Sequence, residues 1–303
     1  MKELLVIGAG TLGSFLAASI TAGGGKVALV AREPRFSEIR KRGVVLARNG
    51  ATSRFEIDVR ENLAGCEGAA LALLCTKAQD LPGALALLKP LAGRDLGILT
   101  LQNGVDAPEI AARACPEAGV IAARVHGFFE MQEGVVRHVG VEPSIAFGRF
   151  AGPASGVEEL LASRLAQAGI AFSRSPDIRR ELWEKFLLAS SLGGVGAALG
   201  IPAGRIREDA AAWTMLRDTM LEIERLALLK GVALVDDCVE RTLAFAATFP
   251  PDATTSLQRD LEEGRPSEYD FLTGAAVRMA AESALDLPIH RTIAQRIAKR
   301  GLI

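Results

Sequence analysis

A mixed α/β sheet domain followed by an all-helical domain is the architecture that three features of the 303-residue sequence predict. Short apolar runs alternate with helix-like stretches through the first half. A glycine-rich turn joins the first such run to the first helix, and beyond about Asp177 the strand signal fades. The length exceeds one ordinary core, so two domains are expected, at 1–172 and 173–303. Hydrophobic residues at 49% and charged residues at 23% fit packed globular domains and argue against wholesale disorder.

Taken in order, "ELLVIG" reads as a buried strand, "TLGSFLAASITAG" as a helix stopped by glycines, and "KVALVAR" as a second strand. "GVVLARNGATSRFEIDV" reads as a small hairpin insertion turning at Asn-Gly. The strand "GAALALLCT", a helix near "LPGALALLKPL", the strand "GILTLQN" and the helix "APEIAARAC" continue the alternation. Short, wholly apolar strands spaced by helices imply a parallel, doubly wound sheet buried on both faces, that is, a Rossmann-type domain. "VIAARVHGFFEMQEGVVRHVGVEPSIAFG" reads as a strand meander. In the second half, Phe186–Gly204 contains no Asp, Glu, Lys or Arg. Its glycines at 193, 194, 196, 200 and 204, together with Pro202, favour a buried core helix over a membrane span. "DTMLEIERLALLKG" and "EYDFLTGAAVRMAAESALDLP" read as two further helices.

The net charge of −1 argues against a general nucleic-acid or anionic-membrane surface. Cys66, Cys75, Cys115 and Cys238 form no CxxC pair, and His126, His138 and His290 show no ligand spacing. No metal site is expected, and reduced, packed thiols point to the cytosol. The apolar N-terminus superficially resembles a signal peptide. Glu3 in its leading segment and the glycines that follow favour a cytoplasmic protein instead.

Those glycines lie in "GAGTLG", straight after a strand and at the mouth of a helix. Gly8 makes the tight turn, Gly10 lets a pyrophosphate approach the backbone, and Gly13 lets helix pack on strand. The loop Gly8, Ala9, Gly10, Thr11, Leu12 and Gly13 is thus a candidate dinucleotide site, with the helix N-terminus facing the phosphates. At the end of the second strand, "VAREPR" puts Arg32 where NAD binders carry an acid, with Arg35 close by. A guanidinium there suits the 2′-phosphate of NADP. The competing reading leaves Arg32 solvated and turns Glu33 towards the ribose of NAD. Two further strand ends carry Lys77, placed for the cofactor's phosphates or ribose, and Asn103, placed for the nicotinamide or a substrate oxygen.

The segments "VIGAGTLGS", "CTKAQD", "LTLQNG", "EGVVRHVG", "LWEKF" and "TTSLQRDLEEGRPSEYDFLTG" run in order over almost the whole chain. In this the sequence resembles the ketopantoate (2-dehydropantoate 2-) reductase family, within the group similar to 6-phosphogluconate dehydrogenase. The resemblance implies hydride transfer from NADPH to the ketone of a 2-oxo acid, with ketopantoate the first substrate and pantothenate and coenzyme A biosynthesis the context. It also implies Lys185 as general acid, with Asn103, Ser256 and Glu268 contacting substrate and the glycine loop, Arg32 and Lys77 holding NADPH. Glu268 is expected to hold Lys185 in place or to bond the substrate hydroxyl. Family members typically carry asparagines one and two turns after the lysine, where this sequence has Ala189 and Gly193.

The residues themselves leave alternatives. Ketone reduction makes an alkoxide that a positioned acid protonates, and an ammonium also stabilises the developing oxyanion. An exposed lysine is a sluggish acid, but a long uncharged flank would lower its pKa by desolvation. Lys185 equally fits a surface lysine whose stem lies along apolar neighbours. Glu268 fits a carboxylate at a helix N-terminus, and Ser256 fits a cap for the helix containing "LQRDLEEG". Two other functions compete with ketopantoate reduction: reduction of a different, more apolar carbonyl compound, and NADP(H) sensing without catalysis. A homodimer formed through the helical half is a further expectation.

Overall fold

The computed structural model describes residues 3–48, 50–93, 95–153 and 156–303. The chain divides into two compact units: Met1–Gln102 with Asp106–Ile178, and Asn103–Val105 with Arg179–Ile303.

The first unit is built on one sheet. Its elements are β1 (Glu3–Ile7), α1 (Thr11–Ala22), β2 (Val27–Val30), α2 (Arg35–Arg42), β3 (Val44–Arg48), β4 (Ala51–Phe55), β5 (Asp58–Arg60) and β6 (Ala69–Leu74). There follow α3 (Leu81–Leu88), β7 (Gly97–Thr100), α4 (Ala107–Ala114), β8 (Gly119–Gln132), β9 (Val135–Ala151), α5 (Val157–Gln167) and β10 (Ala171–Arg174). The strand order is β4-β3-β9-β8-β7-β6-β1-β2-β5, with β10 beside β9. The central strands β2, β1, β6, β7 and β8 pair in parallel, whereas β3–β4 and β8–β9 are antiparallel.

Alternation along β1 explains why the strand is apolar from Leu4 to Ile7. Leu4 and Val6 pack with Phe15, Leu16, Leu161 and Leu165 on one face. Leu5 and Ile7 pack with Leu81, Leu85, Leu88 and Ala111 on the other. Side chains point to opposite faces with period two, and helices cover both.

The structure adds detail to the expected elements. The insertion folds as the β3–β4 hairpin with Gly50 at φ +76°, and Asn49 of the expected turn lies outside the described residues. β5 does not extend that hairpin; it pairs in parallel with β2 at the sheet edge. The expected meander is one long hairpin, turning at Glu133 and Gly134, whose φ values of +51° and +80° match a two-residue primed turn.

The second unit is helical, with α6 (Ile178–Leu199), α7 (Ala203–Glu208), α8 (Ala210–Leu229), α9 (Cys238–Ala247), α10 (Ser256–Glu262), α11 (Thr273–Glu282) and α12 (Pro288–Lys299). Its centre is α6, buried from Ser190 to Ala198. The expected core helix therefore stops at Leu199; Gly200 follows at φ +68°, and the Arg300 guanidinium donates to the Ala197 carbonyl near that end. Glycines on α6 admit the other helices. A Cβ at Gly194 would lie 2.7 Å from Thr273 Oγ1, and one at Gly196 would lie 2.5 Å from Gln258 Oε1. Thr273 Oγ1 donates to the Ser190 carbonyl (3.0 Å), fastening the start of α11 to α6. Among the described residues no helix is long and apolar enough to cross a membrane.

A buried pair joins α8 to α12. Glu222 accepts from the backbone N–H groups of Ile289 (2.8 Å) and His290 (2.9 Å), and its carboxylate meets His290 Nδ1 at 2.7 Å. It thereby satisfies donors that a helix N-terminus leaves unpaired. Burial alone raises the Glu222 pKa, but the bonds from His290 and Ile289 outweigh it, and the carboxyl sits below its ordinary range.

Candidate active site

The glycine loop is held from beneath. Gly8 N–H donates to the Val30 carbonyl (3.0 Å) and Cys75 N–H to the Ile7 carbonyl (2.8 Å). Gly8 takes φ +107°, and a Cβ there would stand 2.9 Å from the Thr76 nitrogen. A Cβ at Gly13 would fall 1.9 Å from the Gly8 carbonyl oxygen, so only glycine lets α1 approach the turn this closely. Gly10 differs: it is exposed, and an added Cβ would meet nothing within 4 Å. Open space at Gly10 and the first-turn N–H groups of α1 form an anion cradle, so the loop fits the pyrophosphate of a dinucleotide. Beneath it, burial raises the Cys75 thiol well above its ordinary range, leaving it neutral.

Arg32 follows β2 with its side chain 81% exposed, and its Nη2 donates to Asp80 Oδ1 (3.0 Å). Arg35, at the start of α2, is turned onto the loop. Its Nε donates to the Ala9 carbonyl (3.3 Å), Nη2 to Ser14 Oγ (3.4 Å), and Nη1 to Glu38 Oε2 (2.6 Å). Neither Asp80 nor the loop contact of Arg35 stood out in the sequence. "VAREPR" displayed both arginines, but its register with α2 was needed to aim the second. Lys77 is exposed just beyond β6. Nearby, buried Gln102 donates through Nε2 to the carbonyls of Leu74 (3.0 Å) and Thr76 (3.1 Å), tying the end of β7 to that of β6.

In the helical unit, Lys185 is half-buried on α6 between buried Trp183 and Phe186, whose rings meet edge to face with centroids 5.5 Å apart. Asn103 and Glu268 come together: Asn103 Nδ2 donates to Glu268 Oε2 at 2.9 Å. Gly104 lets this happen. It takes φ +94°, and a Cβ there would stand 2.5 Å from the Phe271 carbonyl oxygen. The expected helix beginning at Glu268 is instead a 3₁₀ turn, Tyr269–Phe271, with α11 starting at Thr273. Glu268 therefore precedes a short turn rather than sitting in the first turn of an α-helix.

Ser256 is exposed as the first residue of α10. The cap expected of Ser256 belongs to its neighbour: Thr255 Oγ1 accepts from Gln258 N–H (3.2 Å). Thr255 and Leu257 also pack over Gly193, where an added Cβ would lie 3.3 Å from Thr255 Oγ1 and 3.1 Å from a Leu257 methyl. Lys185, Ala189 and Gly193 recur every four residues along α6, so Thr255 and Leu257, the neighbours of Ser256 in the chain, pack on that helix about two turns beyond the lysine.

A glycine-cradled α/β unit and a helical unit in which Asn103 bonds Glu268 fit a nicotinamide-dependent oxidoreductase acting on a CH–OH group. Comparison with known proteins makes the class specific: ketopantoate reductase PanE/ApbA matches residues 4–152, and its C-terminal domain matches residues 177–300. The chain belongs to the ketopantoate reductase family, whose members use NADPH. It is similar to the 2-dehydropantoate 2-reductase of Halobacterium salinarum, 27% identical over 98% of this chain and 99% of that one. A PanE/ApbA family ketopantoate reductase from Ralstonia eutropha superposes with a TM-score of 0.87 at 28% identity, covering 99% of each chain. D-mandelate dehydrogenase, solved with NADH and anilino(oxo)acetate, shares the fold at a TM-score of 0.86 and 19% identity, covering 99% of each chain.

Proposed function

We propose that this protein reduces ketopantoate to pantoate with NADPH, a step towards pantothenate and coenzyme A. The observation that carries the reading is the 2.9 Å bond from Asn103 to Glu268, which pairs an amide and a carboxylate far apart in sequence. Bound NADPH supplies the hydride. Lys185 gives its proton to the substrate oxygen as negative charge develops there, and its ammonium stabilises that charge beforehand. Asn103 and Ser256 orient the 2-oxo acid. Glu268 accepts from Asn103 and keeps the amide aimed, and its second oxygen serves the substrate hydroxyl or the Lys185 ammonium.

Gly8, Ala9, Gly10, Thr11, Leu12 and Gly13 cradle the pyrophosphate, while Arg32 and Lys77 take the phosphate charges, as the fit of the loop supports. In this reading residues 1–172 bind cofactor and contribute Asn103 to the substrate, and 173–303 supply the other substrate contacts. The partner in this reading is a small-molecule 2-oxo acid, and the net charge of −1 argues against a nucleic-acid or anionic-membrane surface. A cytoplasmic homodimer completes the proposal.

One observation favours a second substrate class. Ala189 is small, and the space over Gly193 is taken by Leu257 and Thr255, so no amide stands at either position to bind a polar hydroxy-oxo acid. A panel of 2-oxo acids, followed at the nicotinamide absorbance, separates the readings. Turnover of ketopantoate supports the first, and turnover confined to more apolar carbonyl compounds supports the second. NADPH binding without turnover of any of them leaves a sensor.

A further inference from the structure

The cation assigned to the 2′-phosphate is already in contact with an acid. Arg32 Nη2 meets Asp80 Oδ1 at 3.0 Å, with the side chains 81% and 40% exposed. Asp80 occupies the N-cap position of α3, yet its carboxylate makes no capping bond there. Arg35 is committed differently, to the Ala9 carbonyl, Ser14 Oγ and Glu38. The exposed end of β2 therefore offers a guanidinium and a carboxylate side by side, the carboxylate delivered from the segment after β6 rather than from β2 itself.

The two groups favour opposite ligands. A guanidinium attracts a 2′-phosphate, while a carboxylate repels it and accepts hydrogen bonds from the free ribose hydroxyls of NADH. We infer that Asp80 is a specificity-determining residue that holds Arg32 and sets the balance between NADPH and NADH. This rests on the assignment of Arg32 to the 2′-phosphate. Binding NADPH parts Arg32 from Asp80, or leaves the carboxylate against the phosphate; either route costs affinity that NADH does not lose.

The test measures equilibrium binding of NADPH and NADH by nicotinamide fluorescence at low salt, in the wild type, D80N, R32A and the double variant, so it needs no substrate. D80N is expected to raise the NADPH-to-NADH affinity ratio about five-fold, the scale of an exposed charge pair. It should do so by tightening NADPH and weakening NADH. R32A is expected to weaken NADPH alone, and in that background D80N should tighten NADPH less. An unchanged or lowered ratio in D80N, with R32A still weakening NADPH, overturns the role of Asp80 alone. NADPH binding untouched by R32A overturns the Arg32 assignment and this inference with it.

Discussion

Lys185 stands at the charged start of α6 with Trp183 and Phe186 buried on either side, and no charged residue follows until Arg205. Replacing it by alanine should lower kcat by about 10²- to 10⁴-fold, the usual range for a positioned acid, while NADPH affinity stays unchanged. Rapid-mixing kinetics beside a cofactor titration separates the two effects. For the Asn103–Glu268 pair, proposed to contact substrate, Asn103→Ala should raise KM about ten-fold with a smaller change in kcat, since a bond of about 1 to 1.5 kcal/mol is lost. Thr255 and Ser256 give a sharper contrast. Thr255→Ala should cost about 1 kcal/mol in urea unfolding because it removes the cap, whereas Ser256→Ala should leave stability unchanged and weaken substrate binding. At this scale the sequence alone was least informative. Lys185 was singled out by resemblance, since a surface lysine explains the same residues. The Asn103–Glu268 bond spans 165 positions, which no local pattern reveals. The shift of the cap from Ser256 to Thr255 turned on one residue of register between adjacent hydroxyls.

Among the elements, the strands and helices with strong periodicity were legible, and those that depend on distant partners were not. β1, β2, β6 and β7 read as continuous apolar runs because both faces of the sheet are covered. β5 is three residues long and β10 is exposed throughout, so each owes its strand geometry to the neighbour it pairs with. "RFSEIRKR" folds as α2 with Ile39 as its one fully buried residue, too weak an apolar stripe to stand out. The glycine of "LTLQNG" has a consequence at this level. Gly104→Ala places a Cβ against the Phe271 carbonyl at a positive φ, at a cost of about 1–3 kcal/mol. The loop should shift, and Asn103 with it. The expected result is a lowered melting temperature together with a raised KM, measured on the same preparation.

At the level of the whole molecule, the sequence reading set the domain boundary at 172/173, whereas the compact units part at Ile178–Arg179. β10 (Ala171–Arg174) pairs with β9 and stays whole in the sheet unit, and Asn103–Val105 groups with the helices. The interior of the helical unit escaped sequence reading, because Glu222 and His290 lie 68 positions apart. Glu222 has a lowered pKa in the folded state, so it contributes stability that is fully present above the ordinary carboxylate value of about 4.3. That contribution fades as pH falls from there through the lowered folded value. Urea unfolding of the wild type should weaken across this window, and Glu222→Gln should be less stable at pH 7 and show a flatter dependence below about pH 4.3. The central claim concerns chemistry, and one assay reaches it: NADPH oxidation by the purified protein with ketopantoate, run in parallel with Lys185→Ala. Turnover that collapses in the variant while NADPH binding persists is the predicted result. Undiminished turnover in Lys185→Ala, or NADPH bound without reduction of ketopantoate, would contradict it.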